Sequence, residues 1–355
     1  MSHVYDFLLY GANGYTGELI ARMSADYGMR PLLAGRNAEA LQSMSARLGL
    51  DYRVLSLDDS DSLRKALQEV PMVLHAAGPF RHTSERMIRA CLDARVHYTD
   101  ITGEIQVFEK AKSFDAQARE AGIMIMSGVG FDVVPTDCLA LFLKQQMPSA
   151  IRLQLAFTGT GSRTSRGTAT TMAEGAGLPG ARRLNGKIVP VPLGQNGMWI
   201  DFGLKKRFVM SIPWGDVSTA YTTTGIPDIE TYTAVSPKTF KRLKYQHLFN
   251  WLLKTSFVRN RMIGRIRSGP AGPSDAEREN NKSLVWGAVT DGAGNKCQAR
   301  LMGPEGYTLT AHASLLIARK IRDGQWKPGY QTPAGCYGQD LVLEIPGVTR
   351  ELLPS

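Results

Sequence analysis

Residues 4–21 read VYDFLLYGANGYTGELIA. An apolar run of strand length, 4–10, meets Gly11, Gly14 and Gly17, and a helical pattern follows from Tyr15 to about Tyr27. A glycine-rich pattern is weak by itself. Between a strand and a helix it acquires a physical reading. Gly11 permits the tight turn, Gly14 lets backbone approach a pyrophosphate, and Gly17 lets the helix pack on the sheet. The helix N-terminus then offers N–H groups and partial positive charge to phosphates. The spacing is G-x-x-G-x-x-G, a variant of the G-x-G-x-x-G loop, and Asn13, Tyr15 and Thr16 are taken with the glycines as cofactor-binding.

Outward from this loop, strand and helix alternate. Strands are expected at 31–36, 52–57, 71–77, 97–101 and 123–127, and helices at 38–48, from a Ser60 cap to 69, at 84–94 and at 106–121. Such alternation implies a parallel, doubly wound sheet. Cofactor choice falls at the end of the second strand. A carboxylate there would bond a ribose 2′-hydroxyl. This chain has Gly35, Arg36 and Asn37 instead. A guanidinium pairs with a 2′-phosphate, which a carboxylate would repel, so NADP is expected. Asn37 and Asp58 are counted with the cofactor-binding residues.

Composition sets the outer limits. The chain has 355 residues, 43% hydrophobic and 21% charged, with a net charge of +10. About two domains are expected at this length. No run of about 18 apolar residues is present, and the N-terminus reads as a strand rather than a signal peptide. A cytoplasmic location is the expectation. Cys91, Cys138, Cys297 and Cys336 are far apart and the histidines show no ligand spacing, so reduced thiols and no metal are expected. No acid falls between Glu230 and Asp275, whereas Lys238, Lys241, Arg242, Lys244, Lys254, Arg259, Arg261, Arg265 and Arg267 do. The charge is therefore local, and without base-reading motifs or repeats no nucleic-acid partner is expected.

The blocks GANGYTG (11–17), AAGPF (76–80), HYTDITGE (97–104) and GVGFDVVPTD (128–137) resemble the saccharopine dehydrogenase-like oxidoreductases, including the trans-acting enoyl reductase branch. GYTLTA (306–311) and PAGCYG (333–338) are weaker similarities, and the centre matches only loosely through GTATT (167–171). The resemblance implies hydride transfer between NADPH and an organic substrate. Two substrate classes remain open, an enoyl or lipid-like acyl group and an imine/amino-acid couple. A non-catalytic NADP(H)-binding regulator is the rival from another class. No Tyr-x-x-x-Lys pair occurs, which argues against the short-chain dehydrogenases.

Ala77, Gly78, Pro79 and Phe80 end the fourth strand, where nicotinamide lies in a doubly wound sheet, and are taken as cofactor-binding. Tyr98, Asp100 and Asp132 are the candidate catalytic residues. Asp100 and Glu104 have two open roles, orienting substrate or capping the next helix through Thr102 or Glu104. Asp132 is placed toward a cleft and Asp137 in a structural role.

From Ile151 short alternating runs at 152–157, 207–212 and 230–235, and a hairpin of 282–289 with 296–302, suggest a mainly antiparallel sheet in an inserted α+β domain. The expected division is 1–137 plus 306–355 for the NADP-binding Rossmann domain and 138–305 for a substrate or dimerisation domain. The stretch 159–171 reads either as a substrate loop, with Arg163 or Arg166 meeting an anion, or as a solvated loop. Residues 238–267 interleave Phe240, Leu243, Leu248, Phe249, Trp251, Leu252, Leu253 and Phe257 with cations. That segment can lie on anionic lipid, dock on the protein body or form a homodimer contact.

Overall fold

The computed structural model describes residues 4–161, 163–246, 250–253 and 255–354. Its strands in chain order are β1 (Phe7–Tyr10), β2 (Pro31–Gly35), β3 (Tyr52–Val54), β4 (Met72–His75), β5 (His97–Asp100) and β6 (Met124–Met126). They continue with β7 (Ala150–Gly159), β8 (Gly180–Leu184), β9 (Lys187–Val191), β10 (Gly197–Asp201), β11 (Lys206–Ile212) and β12 (Asp228–Ala234). The last are β13 (Lys282–Asp291), β14 (Lys296–Pro304), β15 (Gly329–Tyr330) and β16 (Thr349–Leu353).

The chain forms two compact units, 1–134 with 307–336, and 135–306 with 337–355. In the first, a parallel sheet runs β15-β6-β5-β4-β1-β2-β3. Leu8 is in register with Leu32 on one side and Val73 on the other. Strands buried on both faces must be apolar throughout. That is why β1, β2 and most of β4 read FLLY, PLLAG and MVLH, all buried. The sheet grows from β1 in both directions, so the carboxyl ends of β1 and β4 flank the point of reversal where such sheets bind ligands.

Local chemistry shifts several helix limits. Asp59, not Ser60, caps the helix Ser60–Leu67, accepting the Ser62 N–H at 3.1 Å. The next helix begins at Phe80 rather than Ser84, for a reason that lies in another loop and is given below. The expected helix 106–121 is two helices, Ile105–Lys112 and Asp115–Ala121. Ser113 ends the first by bonding back to the Lys110 carbonyl at 2.6 Å, and Phe114 turns into the core.

In the second unit the sheet order is β10-β11-β12-β7-β13-β14-β16, with β8 on β12 and β9 on β8. Pairing is antiparallel except for β7 with β12, which are parallel and separated by a long crossover. The β13–β14 hairpin turns where Asp291 accepts the N–H groups of Ala293 and Asn295, both at 2.9 Å. Gly287 leaves room for the helix Val134–Gln146, since a Cβ there would lie 2.7 Å from Leu143. Residues 337–355, expected with the cofactor domain, cluster instead with the second unit because β16 pairs along β14.

The stretch 159–171 is not loop throughout. Ser165 caps the helix Arg166–Glu174, Arg163 pairs with Glu277 at 2.9 Å, and Arg166 reaches the Arg267 carbonyl. The basic segment is broken into helices Pro237–Lys244, Asn250–Leu253 and Ser256–Arg267. Leu248 and Phe249 lie outside the described residues. Among the described residues no helix is long and apolar enough to cross a membrane.

Candidate functional site

At the end of β1 the three glycines have different reasons for lacking a side chain. Gly11 has φ +90°, and a Cβ on it would come within 2.8 Å of the Ala76 carbonyl carbon and of Ala77. This loop and the end of β4 are thus pressed together. A Cβ on Gly17 would lie 2.3 Å from the Gly11 oxygen, so the helix Tyr15–Met23 can start only with glycine there. Gly14 is the N-cap of that helix and supplies no side-chain cap to its first amides. Asn13 and Gly14 are exposed, Tyr15 and Thr16 half-buried. An open helix N-terminus behind a glycine turn is a cradle for phosphates.

Gly35 admits the Asn13 carboxamide, whose oxygen would meet a Cβ at 2.8 Å, tying the loop to the end of β2. Arg36 follows, exposed and without an ion pair among the described residues. Its charge acts on Tyr10, opposing the rise that burial gives that phenol. Asn37 is the N-cap of the helix Ala38–Leu48, its side chain accepting the Ala40 N–H at 3.1 Å. Asp58 forms an exposed ion pair with Arg86. The chemistry of these residues fits a phosphorylated dinucleotide: an uncapped helix end suits a pyrophosphate, and an exposed arginine without an ion pair among the described residues suits a further phosphate.

Ala77, Gly78, Pro79 and Phe80 form the turn out of β4, with a cis Gly78–Pro79 peptide. Thr83 holds the Ala77 carbonyl at 2.9 Å, and Glu104 accepts the Phe80 N–H at 2.8 Å. Glu104 therefore caps the helix Phe80–Ala94 rather than the one that follows it, which explains the early helix start. Thr102 does the local work, accepting the Glu104 N–H at 3.1 Å. Burial raises the Glu104 carboxyl above its ordinary range, against the hydrogen bond from Phe80 and the charge of Arg81.

Tyr98 and Asp100 are fully buried. The Tyr98 hydroxyl donates to Asp100 at 2.8 Å and lies 3.2 Å from His75 Nδ1. With its proton spent on Asp100, the phenol accepts from His75, which fixes the proton on Nδ1. Asp100 also takes Ser127 Oγ at 2.8 Å and the N–H groups of Thr102 and Gly128 at 3.0 Å. One carboxylate thereby joins the loops after β5 and β6. Burial raises Asp100, and these donors pull it back down. Burial and Asp100 push the Tyr98 phenol well up, and burial drops His75 to about 3, so His75 stays neutral. Sequence reading passed over His75. The signal available was a polar residue closing the apolar strand MVLH.

Asp132 sits on the loop after β6, half-buried against Gly103, where a Cβ would lie 2.9 Å from its Oδ2. Burial pushes its carboxyl up to about 7. The same loop is held by the helix Gly306–Arg322: Thr310 Oγ1 accepts the Phe131 N–H at 3.0 Å, and a Cβ on Gly130 would lie 2.8 Å from Thr310. Tyr307 meets Tyr15 edge-on, ring centres 5.0 Å apart. Asp137, in the second unit, accepts from Thr223 at 2.6 Å.

A parallel doubly wound sheet with a glycine cradle at its reversal point and an arginine at the end of β2 defines a Rossmann dinucleotide-binding domain. Residues 7–126 match the family described as the saccharopine dehydrogenase NADP binding domain. A probable mitochondrial saccharopine dehydrogenase-like oxidoreductase of Arabidopsis thaliana is 33% identical over 163 residues, covering 41% of this chain and 36% of the relative. A trans-acting enoyl reductase of Mycobacterium tuberculosis is 32% identical over 141 residues, covering 38% and 34%. The matches thus span little more than a third of these relatives. The fold is shared with apo saccharopine dehydrogenase (L-Glu forming) from Saccharomyces cerevisiae, at TM-score 0.67, 12% identity and 98% and 99% coverage.

Proposed function

We propose that the chain is an NADP(H)-dependent oxidoreductase that reduces an enoyl or lipid-like acyl group. The observation that carries the reading is the uncapped helix end at Gly14 beside Arg36, an exposed guanidinium with no ion pair among the described residues. Bound NADPH supplies a hydride. The chain's own residues hold the phosphates at Gly11, Asn13, Gly14, Tyr15, Thr16 and Gly17, and the 2′-phosphate at Arg36. The turn at Ala77, Gly78, Pro79 and Phe80 carries the nicotinamide end, kept in place by Glu104 and by the network of His75, Tyr98 and Asp100. Asp132 holds a proton near neutral pH at the same edge and delivers it to the reduced substrate. Tyr98 and Asp100, being fully buried, act as positioning residues in this scheme rather than touching substrate.

An acyl substrate is favoured over an amino acid by how three arginines of the second unit are spent. Arg163 pairs with Glu277, Arg182 with Glu230, and Arg183 binds the carbonyls of Val217 and Gly186. None of these three is left to bind the carboxylates of a saccharopine-type substrate. The relative named as an enoyl reductase agrees with this choice. The test is to mix the protein with NADPH and panels of enoyl thioesters and of imines, following the absorbance of reduced cofactor. Turnover with thioesters is expected. Turnover with imines alone replaces the acyl reading, and saturable NADPH binding with no turnover makes the chain a non-catalytic regulator.

A further inference from the structure

We propose that the helices Pro237–Lys244, Asn250–Leu253 and Ser256–Arg267 form a docking face for an anionic lipid bilayer. The helix Pro237–Lys244 uses Phe240 to hold the body, its ring 5.1 Å from that of Phe208, and turns Lys238, Lys241 and Arg242 outward. On Ser256–Arg267, exposed Phe257, Arg261 and Arg265 recur every fourth residue and so share one face. The adjoining stripe of Val258, Met262 and Ile266 is half-buried, and the helix packs against Arg166–Glu174. Docking onto the body thus consumes one stripe and leaves the cationic one free.

Two properties of the described residues of this segment point to lipid. Three of its aromatics project: Tyr245, Trp251 and Phe257 are 60%, 71% and 75% exposed. Its cations lack counter-charges. Several exposed arginines elsewhere hold carboxylates, as Arg30 holds Asp51, Arg47 holds Glu18 and Arg89 holds Glu85, whereas Arg36 does not. Among the described residues Lys238, Lys241, Arg242, Arg261 and Arg265 hold none, and the sequence supplies no acid from 231 to 274. A bare cationic face with aromatic tips matches the interface of an anionic membrane, where rings enter the headgroup layer and cations meet lipid phosphates. A protein partner would need a facing acidic surface, and duplex nucleic acid has no layer to receive Trp251 and Phe257. The bound state also suits a substrate carried in a lipid phase, although the docking argument does not depend on the substrate.

The test is flotation of the full chain with vesicles of phosphatidylcholine alone, and of phosphatidylcholine with phosphatidylglycerol in equal parts. Wild type is expected to float with the anionic vesicles only, and to be released by salt, which screens such contacts. Each basic residue at an anionic surface is worth about fivefold in partitioning, so Arg261→Glu with Arg265→Glu should weaken binding tenfold or more. Trp251→Ala with Phe257→Ala should weaken it by a similar factor. Unchanged circular dichroism and melting temperature show that each variant is folded, whatever its activity. Equal binding to neutral vesicles, wild-type binding by either double variant, or no vesicle binding at all overturns the proposal. Retention on duplex DNA in place of vesicles, lost on charge reversal, overturns it in favour of a general polyanion site.

Discussion

The carboxylate of Glu104 accepts the backbone N–H of Phe80 at 2.8 Å, so the loop after one strand caps the helix that follows its neighbour. The turn Ala77–Phe80 beneath the proposed nicotinamide site is therefore set by a residue 24 positions away. Replacing Glu104 with Ala removes a cap worth about 1 kcal/mol, with more lost because the site is partly buried. Urea denaturation should show that loss and an NADPH titration a weaker Kd. Glu104→Gln, which keeps an acceptor, should recover most of both. If the two variants behave alike, the cap is not what holds the turn.

Gly11 has φ +90° and its missing Cβ would overlap the end of β4. Gly11→Ala should cost about 1–3 kcal/mol from the backbone alone, and more from the overlap. Gly49 also has a positive φ but open space around it. Gly49→Ala should cost only the backbone share and leave NADPH affinity unaltered. Melting curves and cofactor titrations of the pair separate strain from crowding at the site.

Arg36 is the proposed discriminator between cofactors. Arg36→Ala should raise the Kd for NADPH by about tenfold to a hundredfold, the worth of a charge-assisted contact, and leave that for NADH nearly constant. Equal affinity of wild type for NADH and NADPH would remove Arg36 from this role.

Asp132 keeps its proton in the fold up to about pH 7, whereas an unfolded aspartate releases it near pH 4. Between those values the native state binds more protons, so this group lowers stability as pH rises. Asp132→Asn should flatten that slope. If Asp132 delivers the proton, reduction should decline above about pH 7 in wild type, and kcat of the variant should fall about a hundredfold or more. A variant with full kcat leaves Asp132 structural.

His75 titrates with the opposite sign. Burial lowers it to about 3, so the native state stays neutral while the unfolded chain takes up a proton below about pH 6.5. The stability it supports is complete above that value and is lost as pH falls toward 3. Phe keeps an aromatic ring to meet those of Tyr10 and Phe80, which His75 meets edge-on. His75→Phe should remove this acid-side loss, read from denaturation midpoints at pH 7 and pH 4. An identical pH dependence in both proteins would place the acid sensitivity elsewhere.

Much of the cofactor-binding unit was legible because its signals are local. Strands buried on both faces advertise themselves as apolar runs, and Gly14 and Gly17 are demanded by the Gly11 carbonyl a few residues away, whereas Gly11 itself answers to Ala76 and Ala77 at the end of β4. Asn37 was legible as a polar residue before a helix, but its carboxamide caps that helix. Tyr98 and Asp100 were legible as a cluster at a strand end. Their chemistry was not, because a phenol and a carboxylate at i and i+2 look the same whether they face a ligand or each other.

The sequence by itself determined the doubly wound sheet, the glycine-rich turn at its point of reversal, and the arginine proposed to select the phosphorylated cofactor. Those follow from residue periodicity and from charge at a single strand end. Only the tertiary structure decided that Glu104 serves Phe80, that His75 joins Tyr98 and Asp100, that Asp132 rests on Gly103, and that the last residues pair into the second sheet. Each of these relations joins segments distant in sequence, and its energy comes from burial and from hydrogen-bond partners that exist only once the chain has folded.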